Sequence, residues 1–103
     1  MDEALRALAD RTRRRILSMV NETERTAGDI AANFDISRPA VSQHLKVLLD
    51  SGLVVVRADG TRRHYRVNRG SMLAVRALLE EYWDDRLARL KRAAEAEQRA
   101  KGA

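Results

Sequence analysis

The sequence has no cysteine, one proline, one tryptophan and one phenylalanine among 103 residues. Without thiols there are no disulfides, no thiolate metal sites and no cysteine nucleophile, a usage that fits a cytoplasmic protein. Histidine is scarce too. His44 and His64 are the only two, which makes a histidine-based metal site hard to build in one chain. No metal and no cofactor is therefore expected. No wholly apolar run exceeds four residues, as in Leu53–Val56, so no span of a bilayer and no membrane partner is expected. Met1-Asp2-Glu3 is acidic and lacks an apolar stretch, so no secretory signal is expected. A glycine-rich phosphate loop is missing as well.

What is present suffices for one small core. Leu, Ile, Val and Phe number 24, above the range of disordered chains, and the length points to a single domain over residues 1–103. The net charge is +5, carried by 17 Arg and only 3 Lys. Arginine is the side chain suited to phosphate forks and guanine edges. The charge is clustered. Arg11-Thr12-Arg13-Arg14-Arg15 holds four cations, and the stretch from Arg57 to Arg69 holds five arginines against one aspartate. Such clusters point to a polyanion, most often nucleic acid, against the alternative of a basic surface with no partner.

Periodicity gives a mainly helical chain with one β-hairpin, in the order α-α-α-α-β-β-α. The first helix covers Asp2 to Leu8. Asp10 caps a second, about Arg11 to Asn21, with Ile16, Leu17 and Val20 inward and Arg13, Arg14 and Arg15 mostly outward. The stretch from Asn21 to Arg25 reads as a loop. Thr26-Ala27-Gly28-Asp29 fits a capping box and opens a short helix containing Ile30, Ala31 and Phe34. After a tight turn at Asp35-Ile36, Ser37 caps a fourth helix from about Arg38 to Ser51. Pro39 sits in its first turn, and Gly52 is its C′ residue. Leu53 to Ala58 and Arg62 to Val67 are the hairpin strands, with Asp59-Gly60 as the expected two-residue turn. Asn68 caps a long last helix from about Arg69 to near Lys101. Met72, Val75, Leu79, Trp83, Leu87, Leu90 and Ala94 form a stripe along it, and the Ala/Glu/Arg-rich end from Arg92 is expected to fray.

Two short helices and a tight turn over about residues 26–51, then a basic hairpin over about 53–67, make a winged helix-turn-helix. In that motif the second helix enters the major groove. Val41, Leu45 and Leu48 take its core face, leaving Arg38, Pro39, Ser42, Gln43 and Lys46 outside. Arg forks onto guanine, Gln onto adenine, and Ser bonds a base or a phosphate. Lys46 is better placed for phosphate. The bland alternative is a solvated helix face. Arg62 and Arg63, beside the hairpin turn, suit a minor groove or phosphates. Protection of a strand edge is the competing role. Thr26 and His44 are grouped with the phosphate contacts. A Ser-His-carboxylate triad is excluded, because Ser42 and His44 point about 200° apart on one helix. Catalysis is not expected.

The residues also carry a resemblance. Ala7 to Leu17, Ser37 to Leu48 with Ser51-Gly52-Leu53-Val54, and Gly60 to Val67 resemble the opening, recognition helix and wing of the ArsR family of bacterial winged-helix repressors. The resemblance covers about Leu5 to Trp83. It implies a homodimer that binds double-stranded DNA at an inverted repeat and represses transcription. It puts Arg38, Pro39, Ser42 and Gln43 at or near bases, and Arg62 and Arg63 in the wing. His44 then packs between helices or contacts phosphate. Many members sense metals through a cysteine pair in the third helix, where this chain has Gly28-Asp29-Ile30-Ala31-Ala32. Others bind zinc with Asp and His ligands on C-terminal helices. Here that helix has Glu80, Glu81, Asp84 and Asp85 without His, a set better read as a solvated face pairing with Arg86 and Arg89. The resemblance thus implies the non-metal branch, some of whose members have no ligand and some of which answer to other signals.

Dimerisation has a basis in the residues themselves. The stripe of Leu79, Trp83, Leu87 and Leu90, on a helix over about 69–100, outruns what a small winged-helix core covers. A two-fold mate would bury it, aided by Leu5 and Leu8. Packing wholly within one chain is the alternative, and Tyr82 and Trp83 lining a ligand pocket is another. Paired recognition helices would sit about 34 Å apart, one turn of DNA. A reading from a different class is a winged-helix module for protein–protein contact, whose mark would be a binding face poor in positive charge.

Overall fold

The computed structural model describes residues 1–102. The elements are α1 (Asp2–Leu8), α2 (Arg11–Glu22), β1 (Arg25–Thr26), α3 (Ala27–Ala31), α4 (Arg38–Asp50), β2 (Val54–Asp59), β3 (Arg62–Val67) and α5 (Arg69–Gly102). Contacts divide the chain into two compact units, Met1–Leu73 and Ala74–Ala103.

The first unit closes around one apolar core. Ile16, Leu17 and Val20 of α2 and Ile30 of α3 are buried, as are Val41, Leu45 and Leu48 of α4. Leu53, Val54, Tyr65 and Val67 complete it from the hairpin side, and Ala4 and Ala7 from α1. The spacing of Val41, Leu45 and Leu48 at i, i+4 and i+7 makes this possible, since it keeps one face of α4 inward over two turns.

Local chemistry sets the ends of the helices. Asp10 accepts from Arg13 N at 2.9 Å and caps α2. Thr26 Oγ1 accepts from Asp29 N at 3.2 Å while Asp29 accepts from Thr26 N at 3.4 Å, a complete capping box on α3. Ser37 Oγ accepts from Ala40 N and caps α4, with Pro39 in the first turn. At the far end Gly52 takes φ +78°, Gly52 N donates to Leu49 O and Leu53 N to Leu48 O. That bond pair is a Schellman stop, and the apolar contact it favours is made by Leu48 and Leu53, both fully buried. Asn68 Oδ1 accepts from Ser71 N at 3.3 Å where α5 begins.

Four local expectations are corrected. The sheet has three strands, in the order β1-β3-β2, all antiparallel. Arg25, read as loop, pairs with Tyr65, and Thr26, which is also the expected cap, pairs with His64, so part of the outer edge of β3 is covered. The hairpin turn is Gly60-Thr61, one residue later than expected, because Asp59 still pairs with Arg62. Gly60 has φ +63° and, among the described residues, no non-glycine has positive φ, which matches a type II′ connection with glycine at its first central position. Phe34 lies beyond α3, held by tight turns in which Asn33 N donates to Ile30 O and Phe34 N to Ala31 O. Lastly, Arg13 does not face outward. Its Nε donates to Ala7 O at 2.7 Å and its Nη2 to Arg6 O at 3.1 Å.

The second unit is the continuation of α5. Every residue from Leu79 to Gly102 is exposed in the single chain. Leu79, Trp83, Leu87 and Leu90 are 52%, 57%, 45% and 63% exposed, values unlike those of a stripe buried within its own chain.

Candidate nucleic-acid interface

The site begins with α4. Its core face is sealed, so the helix presents the remaining faces outward. Arg38, Pro39, Ser42, Gln43 and Lys46 are all exposed. At 100° per residue, Pro39, Gln43 and Lys46 lie almost opposite the core, with Arg38 and Ser42 on one flank and His44 and Val47 on the other. The outer face therefore carries donors and acceptors of the types that read base edges.

The two flanks differ. On the Arg38 flank, the guanidinium lies beside the start of α3: a Cβ placed on Gly28 would be 3.7 Å from Arg38 Nη1. On the other flank, His44 Nδ1 lies 3.5 Å from Arg13 Nη1 and 3.9 Å from Asp10 Oδ2. His44 is half-buried between α4 and α2.

The wing supplies the second cluster of charge. Side chains alternate across a strand, so Arg62 shares a face with His64 and Arg66, while Arg63 shares one with Tyr65 and Val67. Arg62, Arg63 and Arg66 are exposed. Between wing and helices lies an open cleft of about 340 Å³ lined by Thr26, Gly28, Arg38, Thr61, Arg62 and Arg63 among others. It brings together four of the sequence-derived candidates: Thr26, Arg38, Arg62 and Arg63. The Thr26 hydroxyl already accepts the α3 cap bond. Hydrogen bonding from Thr26 keeps the Asp29 carboxyl below its ordinary value, so it stays ionised there.

Arg57 differs from the other wing arginines. Its Nε donates to Glu24 Oε1 at 3.1 Å, and its Nη2 donates to the same oxygen. The guanidinium holds the Glu24 carboxyl below its ordinary value. Nothing in the sequence linked residues 24 and 57, which are brought together only by the pairing of β1 with β3 and of β3 with β2.

The cluster Arg11 to Arg15 is partly spent on the fold. Arg13 and Arg14 bond the carbonyls of Arg6 to Ala9 at the end of α1, where orphan C=O groups and the helix dipole favour a cation. Arg15 lies 4.7 Å over the Phe34 ring. Leu5 and Leu8 are half-buried on α1 in the first unit, and Leu79, Trp83, Leu87 and Leu90 belong to the second. Among the described residues, no cluster of three or more His, Asp or Glu side chains could hold a metal. Among the described residues, no helix is long and apolar enough to cross a membrane.

Comparison with known proteins agrees with this architecture. Residues 10–56 match the model of the arsR family of bacterial regulatory proteins. The HTH-type transcriptional regulator Rv2034 of Mycobacterium tuberculosis is 44% identical over 82 residues, covering 80% of this chain and 77% of that protein. The transcriptional repressor SdpR of Bacillus subtilis is 37% identical over 68 residues, covering 66% and 76%. The chain is also similar, at a TM-score of 0.66 and 30% identity, to a homodimeric winged helix-turn-helix DNA-binding domain from Mycobacterium bovis, a possible ArsR-family regulator solved in solution. That match covers 82% of this chain and 78% of the other.

Proposed function

Because the chain belongs to the arsR family of bacterial regulatory proteins, we propose that it acts in the cytoplasm as a homodimeric repressor reading an inverted-repeat operator. Membership itself makes it a transcriptional regulator and not an enzyme. The observation that carries the finer reading is the outer face of α4. Arg38, Pro39, Ser42 and Gln43 are exposed and lie off a core face that is fully buried. In this reading Arg38, Ser42 and Gln43 bond base edges while Pro39 packs against them. Thr26, Lys46, Arg62 and Arg63 hold phosphates or reach a minor groove, and position the helix without reading sequence. His44, on the flank that faces α2, packs between helices or contacts phosphate.

The exposed stripe of Leu79, Trp83, Leu87 and Leu90 supports a dimer, as does the homodimeric state of the M. bovis domain. Four large apolar side chains on one helix form a patch that a two-fold mate would cover, with Leu5 and Leu8 contributing. A two-fold pair of recognition helices calls for a palindromic site with half-sites about one helical turn apart. Repression is supported by the name of the B. subtilis relative.

The test is fluorescence anisotropy on a duplex selected from a random pool by the wild-type protein, against a scrambled duplex, over a salt series. Preference for the selected duplex that survives physiological salt, with saturation at two chains per duplex, is the expected result. Equal and steeply salt-dependent binding to both duplexes contradicts sequence reading. Binding to neither favours the protein-interaction module.

A further inference from the structure

Glu24 sits where three segments meet. It lies in the connection from α2 to β1, it accepts two bonds from Arg57 of β2, and its Oε1 is 3.6 Å from His64 Nδ1 of β3. Arg57 and His64 are direct cross-strand partners. One carboxylate therefore bonds β2 and lies beside β3, in the segment that, two residues on, caps α3. Among the described residues, Arg57 is the one wing arginine with an ion-pair partner; Arg62, Arg63 and Arg66 have none. The pair is half open to solvent, with the Arg57 side chain 55% and the Glu24 side chain 28% exposed. Its contribution to folding is accordingly small, which leaves its effect on the surface charge as its larger consequence.

We infer that Glu24 is a specificity-determining residue of the DNA site: it withholds Arg57 from phosphate. This rests on the reading that the wing approaches DNA. Phosphate contacts raise affinity for every sequence and inform on none. In a complex registered by α4, the position of Arg57 is set and its reach is limited. In a sliding, unregistered complex a free guanidinium on a long stem finds a phosphate wherever it lies. Releasing Arg57 therefore strengthens nonspecific binding more than specific binding, and discrimination falls.

The experiment compares wild type, Glu24→Gln, Arg57→Ala and the double variant on the selected and scrambled duplexes, over a salt series. Glu24→Gln is close to isosteric, and Glu24→Ala serves as a second variant. Expected is a gain of about three- to tenfold on scrambled DNA at low salt, with the salt slope steeper by about one. The gain on the selected duplex is smaller, so the preference shrinks. Adding Arg57→Ala returns slope and preference to near wild type. An unchanged slope in both Glu24 variants overturns the inference. So does a changed slope that persists in the double variant, since Glu24 would then act through its own charge. If wild type shows no preference, the operator reading falls and the specificity role with it, while the slope on scrambled DNA still tests whether Glu24 withholds Arg57 from phosphate. Binding to neither duplex overturns both.

Discussion

The two arginine-rich stretches look alike in sequence and do different work. Between residues 11 and 15, Arg13 and Arg14 turn back onto the last carbonyls of α1, and Arg15 stacks on Phe34. On the wing, only Arg57 is engaged by a carboxylate, while Arg62, Arg63 and Arg66 stay exposed and unpaired among the described residues. The difference lies in what stands next to each cluster. A helix end one turn away offers bare C=O groups that take up guanidinium donors. The tip of a hairpin satisfies its backbone through its own ladder and leaves the side chains free. Charge density alone therefore overstates the nucleic-acid surface of the first cluster.

This contrast can be broken by substitution, and the largest effects belong to α4, the proposed recognition helix. Gln43→Ala or Arg38→Ala should weaken binding to the selected duplex by about 1–3 kcal/mol and relax base preference, with melting temperature almost unchanged. Anisotropy titrations read the affinity. Next comes Arg13→Ala, which should cost about 1–2 kcal/mol of folding stability, since Ala7 O loses its partner while Arg6 O keeps only the Ala9 N–H. Denaturant midpoints read that cost, and the salt slope of DNA binding should stay put. Arg62→Ala should do the reverse. Its stability should match wild type while the salt slope flattens by about one on all sequences. If Arg13→Ala flattened the slope as much as Arg62→Ala, the division of labour between the clusters would be wrong.

The smallest effect is on the acid side of the stability profile. Asp10 is held below its ordinary value first by the Arg13 backbone N–H, Glu24 by the Arg57 guanidinium and Asp29 by Thr26. A carboxyl whose folded pKa is depressed contributes stability that is present above its unfolded value and lost as pH falls through the folded one. The melting temperature should therefore hold near pH 5 and decline below about pH 4. Glu24→Gln should decline less over that window, as thermal melts would show.

Much of the fold was legible because its signals are local. Caps at Asp10, Thr26, Ser37 and Asn68 lie within three residues of the amides they serve, and the α4 spacing needs only a two-turn window. What escaped was either very short or nonlocal. A two-residue strand such as Arg25-Thr26 has no alternation to detect, and exists only because β3 has an edge to cover. The Gly60-Thr61 turn is set by the cross-strand register, which outweighed the local preference of Asp59-Gly60. The Glu24–Arg57 pair spans 33 residues, and no spacing rule reaches that far. Within the candidate site, the outer face of α4 followed from its inner face. The partners of His44 followed from nothing on α4 itself, because Asp10 and Arg13 belong to the cap and first turn of α2.

The central claim is that the outer face of α4 reads base sequence. The most direct test is to select duplexes from a random pool with wild type and with Gln43→Ala, and compare the enriched sites position by position. The account predicts that the variant keeps a two-fold site but loses preference at one symmetry-related pair of base positions. An unchanged site, enriched to the same degree at every position, would contradict it.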